Sequence, residues 1–244
     1  MADGPEFFAQ PGVVDNYHRE RPPTESPVWT MEAPAFWRIV GDVHGIRVLD
    51  LGCGSGDIGA ELLARGAARY VGVDGSPAMV RRARARLDDE RASIVHADIR
   101  SYRGEAASYD LVVSLRVLHY VDDLASVLGL ARDALVPGGR VVYSTEHPVI
   151  TSFEAREPDS RRTSWLVDDY FRTGRRDVVF LGAPVVKYHR TIEQHLDAVR
   201  TAGLRFLRLS ECPPVHERFG EDVAEYERRL RIPLLLLIEA ERAG

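Results

Sequence analysis

An α/β fold with a mostly parallel, doubly wound sheet is predicted for this 244-residue chain by three observations. Short apolar runs alternate with amphipathic stretches from Ile46 onward, helix-start and helix-stop residues stand where that alternation needs them, and a glycine-rich turn follows the first strand. Near-continuous apolar strands separated by helices require a sheet covered on both faces, because parallel strands need crossovers and each crossover helix must bury its apolar stripe.

Residues 1–45 are irregular, rich in Pro and aromatics, with one helix-like piece over 31–40; they read as an N-terminal lid. Strands are expected over 46–51, 70–74, 93–96, 109–115 and 140–145, with helices over 57–65, 77–87 and 123–135. Ser76-Pro77 is an N-cap followed by proline at the first helical position. Pro137-Gly138-Gly139 stops the helix before the fifth strand. The pattern breaks over 146–190, where charged and aromatic residues mix and a hairpin is expected, 177–181 and 185–189 around Gly182-Ala183-Pro184. This segment reads as an inserted cap. A helix over 191–202, a strand over 205–210, a charged helix over 219–230 and a last strand over 232–239 then complete the sheet. The expected organisation is one domain: lid 1–45, ligand-binding core 46–145, cap 146–190 and sheet completion 191–244.

The formal net charge of −5 argues against nucleic acid as the main partner. Arginine almost replaces lysine, Lys187 being the sole one, which reads as codon bias. Arg81–Leu87, R-R-A-R-A-R-L, lies at helical spacing and reads as a solvated face. Tyr226–Leu230 reads as an exposed helix or a dimer edge, so a homo-oligomer is open. Two cysteines, Cys53 and Cys212, build no disulfide framework, and no C-x-x-C or H-x-x-x-H pattern suggests a metal. The start shows no basic-then-apolar leader, and the run 232–238 is far short of a bilayer span. A cytoplasmic protein without a membrane partner is expected.

The stretch L-D-L-G-C-G-S-G-D over 49–57 carries the functional signal. A dinucleotide loop needs G-x-G-x-x-G; counted from Gly52 the sixth position is Asp57, and counted from Gly54 the pattern fits through Gly59. No Lys-Ser/Thr follows, which excludes a P-loop. Asp50 and Asp57 flank the turn, disfavouring a diphosphate and suiting a ligand that carries an ammonium group. Asp74, ending V-G-V-D about twenty residues on, matches a carboxylate for ribose hydroxyls.

D-L-G-C-G-S-G, V-G-V-D-G-S, H-A-D-I, Y-D-L-V-V-S-L-R-V-L-H-Y-V and L-V-P-G-G-R-V-V-Y-S resemble, in order and spacing, the motifs of class I S-adenosylmethionine-dependent methyltransferases over roughly 45–145. The resemblance implies a Rossmann-like seven-stranded, mostly parallel sheet whose last strand runs antiparallel between its neighbours. It implies S-adenosyl-L-methionine as cofactor. Asp50, Gly52 and Gly54 would lie along the methionine moiety and Asp74 on the ribose, with Gly75 and Ser76 beside it. Asp98 and Ile99 would take the adenine, Leu115 would close the site from below, and Tyr17 would be the N-terminal aromatic near the sulfonium. T-E-H-P-V-I-T-S and V-K-Y-H-R-T also look like a bacterial small-molecule branch, with natural-product N- and O-methyltransferases fitting best.

Methyl transfer asks the protein to hold a nucleophile near ~3 Å and to exclude water, and a hydroxyl or protonated amine must also lose a proton. Ligands in open α/β sheets bind past the carboxyl ends of strands. His147, just past the fifth strand, is therefore the first choice for base or substrate contact, and Glu146 either orients His147 or the chain or touches substrate itself. His119 follows the fourth strand and His189 sits on the cap hairpin, where Lys187 and His189 share one face and Tyr188 and Arg190 the other. Tyr17, His18 and Arg19 are lid candidates; Trp165, Tyr170 and Phe171 are candidates for an apolar pocket wall. The expected activity is methyl transfer to nitrogen or oxygen of a small molecule in natural-product, antibiotic-like biosynthesis. The alternatives are a C-methyltransferase, or a methyltransferase-fold enzyme that has turned to cyclisation or another non-methylating reaction.

Overall fold

The computed structural model describes residues 1–17, 23–152 and 164–244, so His18, Arg19 and the charged run of the cap lie outside the described residues. Two short helices, α1 (Gly4–Phe7) and α2 (Pro11–Tyr17), precede a π-turn at Val28–Glu32 that runs into α3 (Ala33–Val40). The core then alternates β1 (Arg47–Leu51), α4 (Asp57–Ala64), β2 (Arg69–Asp74), α5 (Pro77–Arg86), β3 (Ala92–His96), β4 (Tyr109–Leu115), α6 (Leu124–Ala134) and β5 (Leu135–Glu146). The cap follows as α7 (Pro148–Thr151) and a hairpin of β6 (Gly174–Phe180) and β7 (Ala183–His189). The chain closes with α8 (Ile192–Thr201), β8 (Leu204–Ser210), α9 (Val223–Arg229) and β9 (Leu235–Arg242).

The sheet order is β3-β2-β1-β4-β5-β9-β8, with β9 antiparallel to both its neighbours, β5 and β8. The strands alternate their apolar side chains between two cores. Leu49, Val71, Tyr143 and Ile238 pack with α6 and α8, whereas Val48, Tyr70, Val142 and Leu237 pack with α3 and α4. Burial on both faces is why these strands read as unbroken apolar runs. Asp123 and Ser76 cap α6 and α5 as their types require, and Thr191 opens α8 with a reciprocal capping box to Gln194.

Several boundaries differ from the sequence reading. Helix α6 ends at Ala134, ahead of Pro137, and Pro137-Gly138-Gly139 falls inside β5, where the pairing shifts from Tyr109↔Leu135 to Leu111↔Arg140. The hairpin turn is Leu181-Gly182, both at positive φ, since Phe180 pairs with Ala183. The last strand begins at Leu235, three residues later than the apolar run suggests, and ends at Arg242, set by its register on β5. Helix α9 is shorter than expected and not simply exposed, because Glu225 is buried against Arg228 and Arg229. The arginine face of α5 is solvent-exposed, as its spacing suggests, with Arg82 pairing with Asp15 and Arg86 with Asp57 at the surface.

Candidate active site

The turn after β1 is fixed from two sides. Gly52 and Cys53 both donate backbone N–H groups to Val73 O, at 2.7 and 3.0 Å, joining the turn to β2. At the end of β2, Asp74 accepts from Gly54 N through Oδ2 (2.9 Å) and from Ser76 N through Oδ1 (2.8 Å). Burial raises the Asp74 pKa, and these two backbone donors oppose the shift. Gly52 has φ +83°, and a Cβ there would stand 2.3 Å from Val117 Cγ2, so only glycine fits.

One cleft runs across the carboxyl ends of β1, β2, β4 and β5. Gly52, Gly54, Asp74, Gly75, Asp98, Ile99 and Leu115 line one end. Arg116, His119, Tyr120, Glu146 and Phe180 line the other, and Gly4, Pro5, Phe8 and Tyr17 of the N-terminal segment cover it. Pro5 approaches so closely that a Cβ on Gly75 would meet its ring at 2.8 Å. Tyr17 stands edge-on to Phe8, and Phe8 edge-on to Tyr120. Arg100 bridges Asp98 and Asp3 at 2.5 and 2.7 Å, holding the start of the N-terminal segment to the β3 end.

Polar groups at the second end are tightly engaged. His119 Nδ1 lies 3.4 Å from Thr145 Oγ1 and the ring tilts over Tyr120. Burial pulls its pKa down to about 3, so the imidazole is neutral at ordinary pH. Lys187 Nζ donates to both carboxylate oxygens of Glu146, at 2.7 and 2.9 Å. Arg116, at φ +60° just past β4, pairs with the buried Glu32, which also accepts from Ser144 Oγ.

The structure corrects several expected placements. His147 does not line the cleft: it caps α7, accepting from Val149 N at Nδ1 and donating through Nε2 to Glu211 (3.0 Å). His189 faces inward with Lys187 yet misses the cleft, because Nδ1 accepts from Thr151 and Nε2 donates to Tyr170 O. It borders a separate cavity beside Arg190 and Asp197. Asp50 is buried beneath the turn, where Tyr70 Oη donates to it at 2.7 Å. Ser76 is fully buried as a cap and donates through Oγ to Phe8 O. Asp57 pairs with Arg86 at 3.1 Å and is not among the lining residues, so the two acids do not flank a ligand directly. Phe171 is 87% exposed, Tyr170 packs on His189, and Trp165 lies beneath Arg228 and Arg231; none lines the cleft. Sequence reasoning missed Pro5, Phe8, Arg116, Tyr120 and Phe180. Only Arg116 carried a signal, as the residue after a strand end.

A family profile described as "Methyltransferase domain" matches residues 48–139. The crystal structure of an S-adenosylmethionine-dependent methyltransferase from Mesorhizobium loti superposes with a TM-score of 0.79 at 33% identity, covering 91% of this chain and 100% of that one. Trans-aconitate 2-methyltransferase of Variovorax paradoxus is 30% identical over 207 residues, 75% of this chain and 77% of that enzyme. A ubiquinone biosynthesis O-methyltransferase of Methylocella silvestris is 34% identical over 113 residues, 46% of this chain and 44% of that protein, so that match spans less than half of each. Motif order, sheet topology and these similarities converge: the chain belongs to the S-adenosylmethionine-dependent methyltransferases of Rossmann-like fold.

Proposed function

We propose that this enzyme moves a methyl group to a nitrogen or oxygen atom of a small molecule, of the natural-product kind, bound at the His119–Glu146 end of the cleft. The carrying observation is that one cleft joins the glycine turn and Asp74 to His119 and Glu146. The residues present fit the cofactor. Each Asp74 oxygen accepts one backbone N–H and has a second lone pair for a ribose hydroxyl. Gly54 has open space where a Cβ would stand, so the backbone is exposed to the methionine moiety. Asp98 and Ile99 supply the adenine edge and face, and Leu115 the floor. Asp50 and Ser76 support this end from beneath, through Tyr70 and through Phe8. Tyr17 closes the mouth.

When bound, S-adenosylmethionine supplies a methyl group on a sulfonium, which passes by in-line displacement to the acceptor lone pair. Phe8, Tyr120 and Phe180 keep water from that path. With Nδ1–H donating to Thr145 Oγ1, His119 Nε2 shares the acceptor's N–H or O–H with Glu146 and aims its lone pair. So weak a base does not strip a neutral alcohol beforehand. It takes the proton of an oxygen acceptor as the new bond forms, when the methylated oxygen becomes strongly acidic, whereas a methylated amine leaves as its ammonium and needs no base. His147 has no part in this step.

Transfer from methyl-labelled cofactor to a panel of amines and alcohols tests the reading. Asp74→Ala is expected to weaken cofactor binding roughly tenfold to a hundredfold, since hydrogen bonds to a charged group are worth about 1.5–3 kcal/mol. His119→Gln is expected to lower turnover about a hundredfold with cofactor affinity unchanged. Unaltered affinity in the first variant, or unaltered turnover in the second, would refute the assignments. A carboxylate acceptor is the competing reading, favoured by the identity to trans-aconitate 2-methyltransferase.

A further inference from the structure

Lys187 is the only lysine in the chain, and it is 2% exposed. A buried ammonium is costly unless it is paired and hydrogen-bonded. Here Nζ reaches both oxygens of Glu146 and lies 4.3 Å from the centre of the Phe180 ring. Two bonds to one carboxylate fix its plane as well as its charge. Glu146 ends β5 and keeps part of its side chain, 18%, exposed where it borders the cleft. The hairpin thus holds a carboxylate at the acceptor end rather than burying it.

Among the described residues, the cations at the cleft are ion-paired. Arg116 pairs with Glu32, Arg100 with Asp98 and Asp3, and Lys187 with Glu146. Among the described residues lining the cleft, an incoming carboxylate therefore meets cations already matched by acids, and it meets Glu146 itself. A group with an N–H or O–H meets an oriented acceptor instead.

We propose that Glu146, positioned by Lys187, is the specificity-determining carboxylate of this enzyme, selecting acceptors that present an N–H or O–H donor against those that present a carboxylate. This rests on the reading that the acceptor occupies the His119–Glu146 end of the cleft. Glu146 makes the contact; Lys187 acts through it.

Three probes that share one ring and differ in head group test the proposal on the full chain saturated with S-adenosylhomocysteine: benzyl alcohol, benzylamine and benzoate. Calorimetry is expected to show the alcohol and the amine binding roughly tenfold or more tighter than benzoate, because a site built to accept a hydrogen bond rejects a group that cannot donate one. Glu146→Gln is expected to erase that preference while S-adenosylhomocysteine affinity stays unchanged. Lys187→Met is expected to weaken the donor probes and Lys187→Arg to retain them. Labelling the lysine side chain with nitrogen-15 gives one Nζ signal, which the donor probes shift and benzoate does not; a merely structural ion pair would show no such difference. Equal binding of all three, tighter benzoate, or no donor binding to the loaded protein overturns the proposal while leaving the cofactor end intact. Failure of the wild-type chain to bind S-adenosylhomocysteine overturns the cleft reading itself, and this proposal with it.

Discussion

Beneath the glycine turn, Tyr70 Oη donates to Asp50 in the interior, and burial raises that carboxyl to about 7. The folded pKa lies above the unfolded value near 3.8, so the contribution to stability is full below about pH 4 and is lost as pH rises through about 7. Tyr70→Phe removes the donor that favours the ionised form. It is expected to destabilise the fold by about 1–3 kcal/mol at pH 8 and by clearly less at pH 5, where Asp50 holds its proton. Denaturant unfolding at the two pH values checks this, and an equal loss at both would contradict it. Asp50 was legible in the sequence as a motif residue, but its partner was not. Tyr70 is 20 positions away and reads only as an apolar strand residue.

At the scale of elements, the approach of α4 to β2 depends on one glycine. A Cβ on Gly59 would stand 2.4 Å from Tyr70 Cζ, so the helix lies against the ring that supports Asp50. Gly59→Ala is expected to cost about 1–3 kcal/mol through overpacking and to lower the melting midpoint by several degrees. Gly129, inside α6 with nothing within 4 Å of its Cβ position, is the control: Gly129→Ala is expected to be neutral or to stabilise by up to about 1 kcal/mol. Equal melting points for the two variants would dismiss the close-packing argument. The hairpin and the N-terminal segment are likewise joined element to element. Val186 N donates to Ala2 O at 3.1 Å, Asn16 Nδ2 donates to Leu181 O at 3.0 Å, and Phe7 and Val13 pack on Val178 and Val185. The N-terminal segment that covers the cleft is therefore bonded to the hairpin that carries Phe180 and Lys187.

Across the whole molecule, buried histidines make the fold sensitive to acid. His119 and His195 are both depressed to about 3 by burial, and His147 and His189 shift the same way. A depressed histidine is neutral when folded and takes up a proton more readily when unfolded. Stability is thus present above about pH 6.5 and falls as pH drops from there toward 3, at about 1.4 kcal/mol per pH unit for each such proton. Asp50 has the opposite slope over part of this window, and two strongly shifted histidines outweigh it. His195 bonds Tyr143 Oη at 3.4 Å, away from the cleft, so His195→Gln is expected to flatten the stability profile between pH 4 and 6. An unchanged slope would show that other groups set the acid limit.

The sequence by itself determined the sheet, the cofactor class and the glycine turn after β1. Strand periodicity, capping residues and the spacing from Gly52 to Asp74 are local, and each limits the backbone without help from distant residues. Only the tertiary structure decided which side chains meet. His147 follows a strand end as well as His119 does, yet one caps a helix against Glu211 and the other borders the cleft. Asp50 and Asp57 both flank the glycines, yet one is buried under Tyr70 and the other turns to Arg86. The pairing of Lys187 with Glu146 spans 41 positions and depends on how the hairpin folds back over β5. Such contacts follow from packing between elements, where a charged group goes to the partner that best offsets its burial, and linear spacing carries no record of that choice.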